Sequence, residues 1–98
     1  MSYRHIYEPR ALAEYKESIS WYLKLSDNAA DSFVKEVKEK IIMICDDPFR
    51  YRNTYKKLRE TSLKKYPYPI VYFIDELIII SGVYHHKRYP LRKYRDRN

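Results

Sequence analysis

Apolar positions follow two regimes along this chain. In the first half they recur at helical spacing, and in the second they gather into short unbroken blocks. Tyr3, His5 and Tyr7 alternate with Arg4 and Ile6, which predicts a short strand. Pro9 follows, where a first helical turn tolerates the missing N–H. Leu12, Tyr15, Ile19, Tyr22 and Leu23 predict a first helix running to about Leu25. Ser26-Asp27-Asn28 offers N-cap oxygens to a second helix, whose stripe is Ala30, Phe33, Val34, Val37, Ile41, Ile44 and Cys45. Asp46-Asp47-Pro48 ends it, because the residue before a proline is pushed out of the α region. So short a connection folds the two helices back on each other as an antiparallel hairpin.

The second half reads differently. Phe49 to Tyr55 is a basic, aromatic connector, and Leu58 to Leu63 is a weaker strand candidate. Tyr66-Pro67-Tyr68-Pro69 cannot be a central strand throughout, since two of its residues lack N–H donors. Ile70–Ile74 and Leu77–Val83 are strong strands, rich in β-branched and aromatic residues, and Asp75-Glu76 between them is a tight turn. Both faces of this β-hairpin are apolar over much of its length, which makes it central and covered by the helices on at least one side. Gly82 within the last strand marks a bulge or a close backbone approach. The order is β-α-α-β-β-β over a single domain, residues 1–98. The fold class is α+β, with a small antiparallel or mixed sheet packed against the N-terminal helical hairpin.

Composition narrows the function. One glycine in 98 residues excludes a Gly-rich phosphate loop and leaves turns to Pro, Asn and Asp. One cysteine excludes a disulfide framework and a Cys-based zinc cluster. Cys45 lies on the apolar stripe and is expected to be a small buried hydrophobe. Trp21 lies off the main stripe of its helix; it either widens the buried face or docks a partner, and the core is the expected place. The opening Met1-Ser2-Tyr3-Arg4-His5 has no apolar signal stretch, and no apolar run approaches the ~20 residues of a membrane span. A cytoplasmic protein with no membrane partner is expected.

Charge is the informative quantity. Net charge is +7, unevenly divided: residues 1–49 carry 7 basic and 9 acidic residues, residues 50–98 carry 13 and 4. A clustered field of this sign points to a polyanionic or acidic partner; the plainer alternative is a solvated basic surface kept for solubility. Arg50, Arg52, Lys56, Lys57 and Arg59 form one cluster, extended by Lys64 and Lys65. Lys87, Arg88, Arg92, Lys93, Arg95 and Arg97 form another. Of the 12 tyrosines, 8 lie from Tyr51 onward among these charges. Cations neutralise phosphates and aromatic faces stack on unpaired bases, although the same tyrosines could equally supply core area.

Tyr84-His85-His86-Lys87-Arg88-Tyr89-Pro90 closes the last strand. A histidine beside fixed cations suits acid–base work on a phosphodiester: a base for the 2′-hydroxyl, cations for the phosphate, an acid for the leaving oxygen. Adjacent histidines on a strand face opposite ways, so at most one enters a shared site. A surface histidine pair without a role is the alternative. No metal site and no cofactor are expected, since His5 is remote in sequence and no acidic ligand has a recognised spacing. Asp46-Asp47 serves to end a helix.

Three segments together resemble the RelE/ParE superfamily of toxins from bacterial type II toxin–antitoxin modules. They are Pro9-Arg10-Ala11-Leu12-Ala13-Glu14, then Leu58-Arg59 followed by Tyr66-Pro67-Tyr68-Pro69-Ile70-Val71-Tyr72, and the closing Val83-Tyr84-His85-His86-Lys87-Arg88-Tyr89-Pro90. The resemblance implies a cognate antitoxin that wraps and neutralises the protein. It implies either DNA gyrase or the ribosome and its mRNA as target. The aromatic–proline–tyrosine run and the His85, Arg88, Pro90 ending look more like the ParE branch, which poisons gyrase and is not a nuclease. In that case Arg59, His85 and Arg88 are contact or structural residues. The alternative is a RelE-like, metal-independent mRNA endonuclease, with His85 as acid or base, Arg59 and Arg88 on the phosphate and Tyr89 or Tyr94 assisting. Nuclease members commonly carry an arginine where this chain has Pro69, and ParE-like members often carry an aspartate where it has Tyr89. Arg50, Arg52, Lys56, Lys57, Lys64, Lys65, Lys87 and Arg92 are the expected target- or nucleic-acid-binding residues. A third possibility is a non-toxic protein-interaction module.

Overall fold

A computed structural model describes residues 2–83. Five strands and two helices appear in the order β1 (His5–Tyr7), α1 (Pro9–Leu23), α2 (Asp27–Asp46), a 3₁₀ turn (Pro48–Arg50), β2 (Asn53–Tyr55), β3 (Leu58–Ser62), β4 (Pro69–Asp75) and β5 (Leu77–Val83). The sheet order is β1-β5-β4-β3-β2. β1 runs parallel to β5 and every other pair is antiparallel, so the sheet is mixed. The β4–β5 hairpin is central, as its two apolar faces require.

The helices keep their expected borders closely. Pro9 opens α1, and Ser26 caps α2 by accepting the Ala29 N–H at 3.0 Å. α1 stops at Leu23 rather than Leu25, because the N–H groups of Leu25 and Ser26 both turn back onto the Tyr22 carbonyl. The first strand is shorter than its alternation suggests: the Tyr3 N–H bonds to the Cys45 carbonyl at the end of α2 instead of to the sheet.

Two expectations about α1 fail for one reason. Its buried stripe is Ala11, Glu14, Ser18 and Tyr22, with Tyr15 and Ile19 at its margin. Leu12 and Leu23, counted as core by spacing, are exposed, and so is Trp21. α1 lies on the central strand β5, and small side chains permit that approach, whereas a row of leucines would hold the helix away. The two polar groups in the stripe are satisfied. Ser18 Oγ donates to the Glu14 carbonyl at 2.9 Å, and the Glu14 carboxylate accepts the Val83 N–H at 3.2 Å.

The connector holds a strand the sequence reading lacks. β2 is three residues long, and Asn53 secures the turn that joins it to β3 by donating from Nδ2 to the carbonyls of Lys56 and Leu58. Lys56 (φ 52°) and Glu76 (φ 64°) adopt left-handed backbone, so with one glycine available the turns fall to charged residues as well as to Asn and Asp. Each such residue costs about 1 kcal/mol.

The bulge foreshadowed by Gly82 sits at its neighbour. Val71 opposes Gly82 and Tyr72 opposes Ile80, leaving Ser81 as the extra residue on β5. Two residues facing one let Ile78, Ile80 and Val83 all point to the helices, although Ile80 and Val83 are three apart. The main core combines them with Phe33, Val37, Ile41, Ile44, Tyr68, Ile70 and Tyr72. Leu58 and Val71 form a second, small buried cluster with Phe73 against it, on the face away from the helices.

Candidate functional site

Strand alternation divides the basic residues of the second half among three places. Arg59 opposes Tyr72 and lies on the helix side of the sheet. Its guanidinium donates to the Tyr51 carbonyl at 2.6 Å and the Phe49 carbonyl at 3.4 Å, and stacks 5.4 Å from the Phe49 ring centroid. Arg50 packs against the Tyr51 ring beside it. Lys56 and Lys57 occupy the β2–β3 turn. Lys57 Nζ sits 4.1 Å from the Phe73 ring centroid and Lys56 Nζ 5.3 Å from that of Tyr55.

Arg52, Lys64 and Lys65 do share a groove, of about 570 Å³, walled by Tyr66–Pro69 and the buried Glu60. This is the part of the expected cationic surface that the fold brings together. The rest is not one sheet surface, because a period of two sends neighbouring cations to opposite faces and aromatic rings hold four of them in place. His85, Lys87, Arg88, Tyr89 and Arg92 lie outside the described residues.

The described tyrosines are mainly structural. Tyr68 and Tyr72 are fully buried and Tyr66 is half-buried. Phe33 is the hub, with ring centroids 4.8 Å from Tyr68, 5.4 Å from Tyr66 and 5.0 Å from Tyr22. The aromatic–proline–tyrosine run therefore anchors the β3–β4 connection to both helices. Among described tyrosines beyond residue 50, only Tyr55 is classed as exposed.

Titration behaviour follows burial. Burial pushes the Tyr72 hydroxyl up to about 12, against the opposing pull of Arg59 and with small upward contributions from Tyr51 and Asp47. That hydroxyl donates to the Pro48 carbonyl at 2.6 Å. Tyr7 and Tyr15, stacked with centroids 5.7 Å apart, are both raised by burial. Cys45 is buried as expected, its thiol raised by burial and then by Asp46, with His5 Nδ1 3.9 Å from its sulfur. Among the described residues no three potential metal ligands converge, and no helix is long and apolar enough to cross a membrane.

Sequence reasoning missed two features of this surface. The first is an exposed apolar set on the hairpin: Leu12 and Leu23 on α1, with Trp21 and Leu25, and Ile42 and Met43 on α2. The second is Phe49, 61% exposed beside Arg59. A signal existed for the first, since Leu12, Ile19 and Leu23 lie on one side of a helical wheel whose other side is small and polar.

A two-helix hairpin on a five-stranded mixed sheet, with its described basic residues divided and apolar helix faces exposed, defines a small two-layer α+β class. Its fold matches that of a chain from a solved structure described as the chromosomal ParDE TA system from P. aeruginosa, with a TM-score of 0.74 at 13% identity, over 86% of this chain and 96% of that one. No curated protein sequence matches. Residues 5–90 match the family described as ParE toxin of type II toxin-antitoxin system, parDE, and the chain belongs to that family.

Proposed function

We propose that this protein is held inactive in the cytoplasm by a cognate antitoxin and acts by binding DNA gyrase, not by cutting RNA. Family membership over residues 5–90 is the observation that carries this reading. Three details favour a protein target. Pro69 opens β4, buried and paired with Ser62, where nuclease relatives commonly place an arginine. Arg59, the arginine a nuclease would use on phosphate, is engaged with main-chain carbonyls. Of the described tyrosines beyond residue 50, Tyr68 and Tyr72 are buried and Tyr51 and Tyr66 pack against the core. Such a mode needs neither metal nor small-molecule cofactor. The antitoxin would cover the exposed apolar side chains of the helical hairpin with an amphipathic or extended segment and set acidic residues against the Arg52–Lys64–Lys65 groove.

The test is induction in bacteria lacking the neighbouring antitoxin gene, together with a supercoiling assay on purified gyrase. Inhibited supercoiling and DNA-damage signalling with intact mRNA are expected. Rapid transcript cleavage at translated codons would instead assign ribosome-dependent mRNA endonuclease activity, with His85, Arg59, Arg88 and Tyr89 as its residues. Unimpaired growth would leave a non-toxic interaction module.

A further inference from the structure

Two consecutive backbone N–H groups, those of Lys64 and Lys65 in the β3–β4 connection, converge on the carboxylate of Glu36 in α2. The Lys65 N–H reaches both carboxylate oxygens, at 3.3 and 3.2 Å. Adjacent amides aimed at one point form an anion-receiving concavity, and here a carboxylate of the chain itself fills it. Next to this contact lies a pocket of about 270 Å³. Lys35 and Lys40 line it from α2, Lys64 and Lys65 from the loop, with Glu39 and Met43 completing the wall. The lining thus sets four ammonium groups against two carboxylates, and one of those, Glu36, is already engaged by main-chain donors. Lys35, Lys64 and Lys65 make no ion pair within the described residues. A concave wall with this surplus concentrates positive potential at its mouth.

We infer that this pocket receives a carboxylate side chain from an acidic peptide segment, in its biological setting a segment of the antitoxin. The partner's identity rests on the antitoxin reading above; the chemistry of the pocket does not. A peptide fits better than a nucleic acid on three counts. The loop's amides already select a carboxylate. Met43 and the lysine stems give apolar wall to the residues flanking an acidic side chain. No aromatic ring lines the pocket to stack a base.

The full chain is titrated with acetylated, amidated tetraglutamate and with a tetrauridylate, following backbone amide shifts. The peptide should move the Lys35, Lys64 and Lys65 amides. Lys35→Ala with Lys64→Ala should weaken it at least about fivefold, while Lys56→Ala with Lys57→Ala should leave it unchanged. Equal weakening by both pairs, or shifts that bypass the pocket, overturns the proposal. Tighter binding of tetrauridylate at the same amides overturns it in favour of nucleic acid. A chain that takes tetraglutamate in this pocket yet leaves gyrase and growth untouched supports the site and removes only the toxin reading. A toxic chain whose pocket ignores the peptide removes the site alone.

Discussion

Arg59 ties its own strand to the connector by donating to the Tyr51 carbonyl, eight residues upstream, at 2.6 Å. The same guanidinium reaches the Phe49 carbonyl and its ring, so one side chain fixes the exit from the 3₁₀ turn. Arg59→Ala should cost about 1–2 kcal/mol in urea unfolding, since a charged donor to two carbonyls is lost at a half-exposed site. Arg59→Lys should recover little of this, because Nη1 serves both carbonyls while the guanidinium plane lies over the Phe49 ring, and an ammonium has no plane to stack. A lysine variant as stable as the parent would show that the guanidinium plane is not what holds the connector.

Tyr72 predicts an alkaline limit to stability. Its proton is held to about pH 12 in the folded chain, against a usual value of 10.0. Below pH 10 folded and unfolded forms both keep the proton. Above it the unfolded form releases its proton first, so stability contributed by Tyr72 is lost as pH climbs from about 10 to about 12. Tyr72→Phe should melt lower at neutral pH, by about 0.5–1.5 kcal/mol for the bond to Pro48. Its melting temperature should then fall less steeply than the parent's across the alkaline window; parallel curves would remove Tyr72 as the cause.

Glu14 separates hydrogen bonding from charge. Glu14→Gln retains an acceptor for the Val83 N–H. Glu14→Leu strands that buried amide, at about 1–3 kcal/mol. Chemical denaturation should rank the leucine variant clearly below the glutamine variant. Hydrogen exchange at the Val83 amide should quicken in the leucine variant and stay slow in the other.

Ser81 is the surplus residue of β5, so its loss should be tolerated where an insertion is not. Deleting it leaves Ile80 opposite Tyr72, Gly82 opposite Val71 and Val83 opposite Ile70, with Ile80 and Val83 two apart and still facing the helices. The near-ultraviolet circular dichroism of the tyrosine core should survive the deletion, whereas one alanine inserted between Ile78 and Ile79 breaks the alternation of Ile78 with Ile80 and should abolish it; loss of the signal in the deletion would show that the bulge itself is needed.

The helices and the β4–β5 hairpin were legible because their apolar residues keep a period or run unbroken, as Phe33–Val37–Ile41–Ile44 and Ile70–Ile74 do. β2 was not, since three polar-edged residues, Asn53–Tyr55, carry no period and owe their state to pairing with β3. The buried face of α1 was misread because Ala11, Glu14 and Ser18 are chosen for close approach and for one distant amide, neither of which hydrophobicity encodes. The candidate site was legible only as a charge excess. Composition showed that cations gather after residue 50, but not that rings and carbonyls occupy Arg50, Lys57 and Arg59. Lys35 and Lys40 carry no sequence signal of their own, and only the β3–β4 loop packed beside them makes a pocket there.

The last strand formed along the described chain sits between the first strand and the one before it. Synthesis therefore delivers β1 long before its one neighbour in the described sheet exists. Both helices must wait as well, because α1 rests on β5 and Glu14 needs Val83. A nascent polypeptide stopped before Leu77 would lack the strand on which α1 rests, and pairing across so long a stretch of chain is slow to form. The architecture thus delays a folded product until translation of β5 is complete, an interval in which an already folded neutralising partner could be waiting.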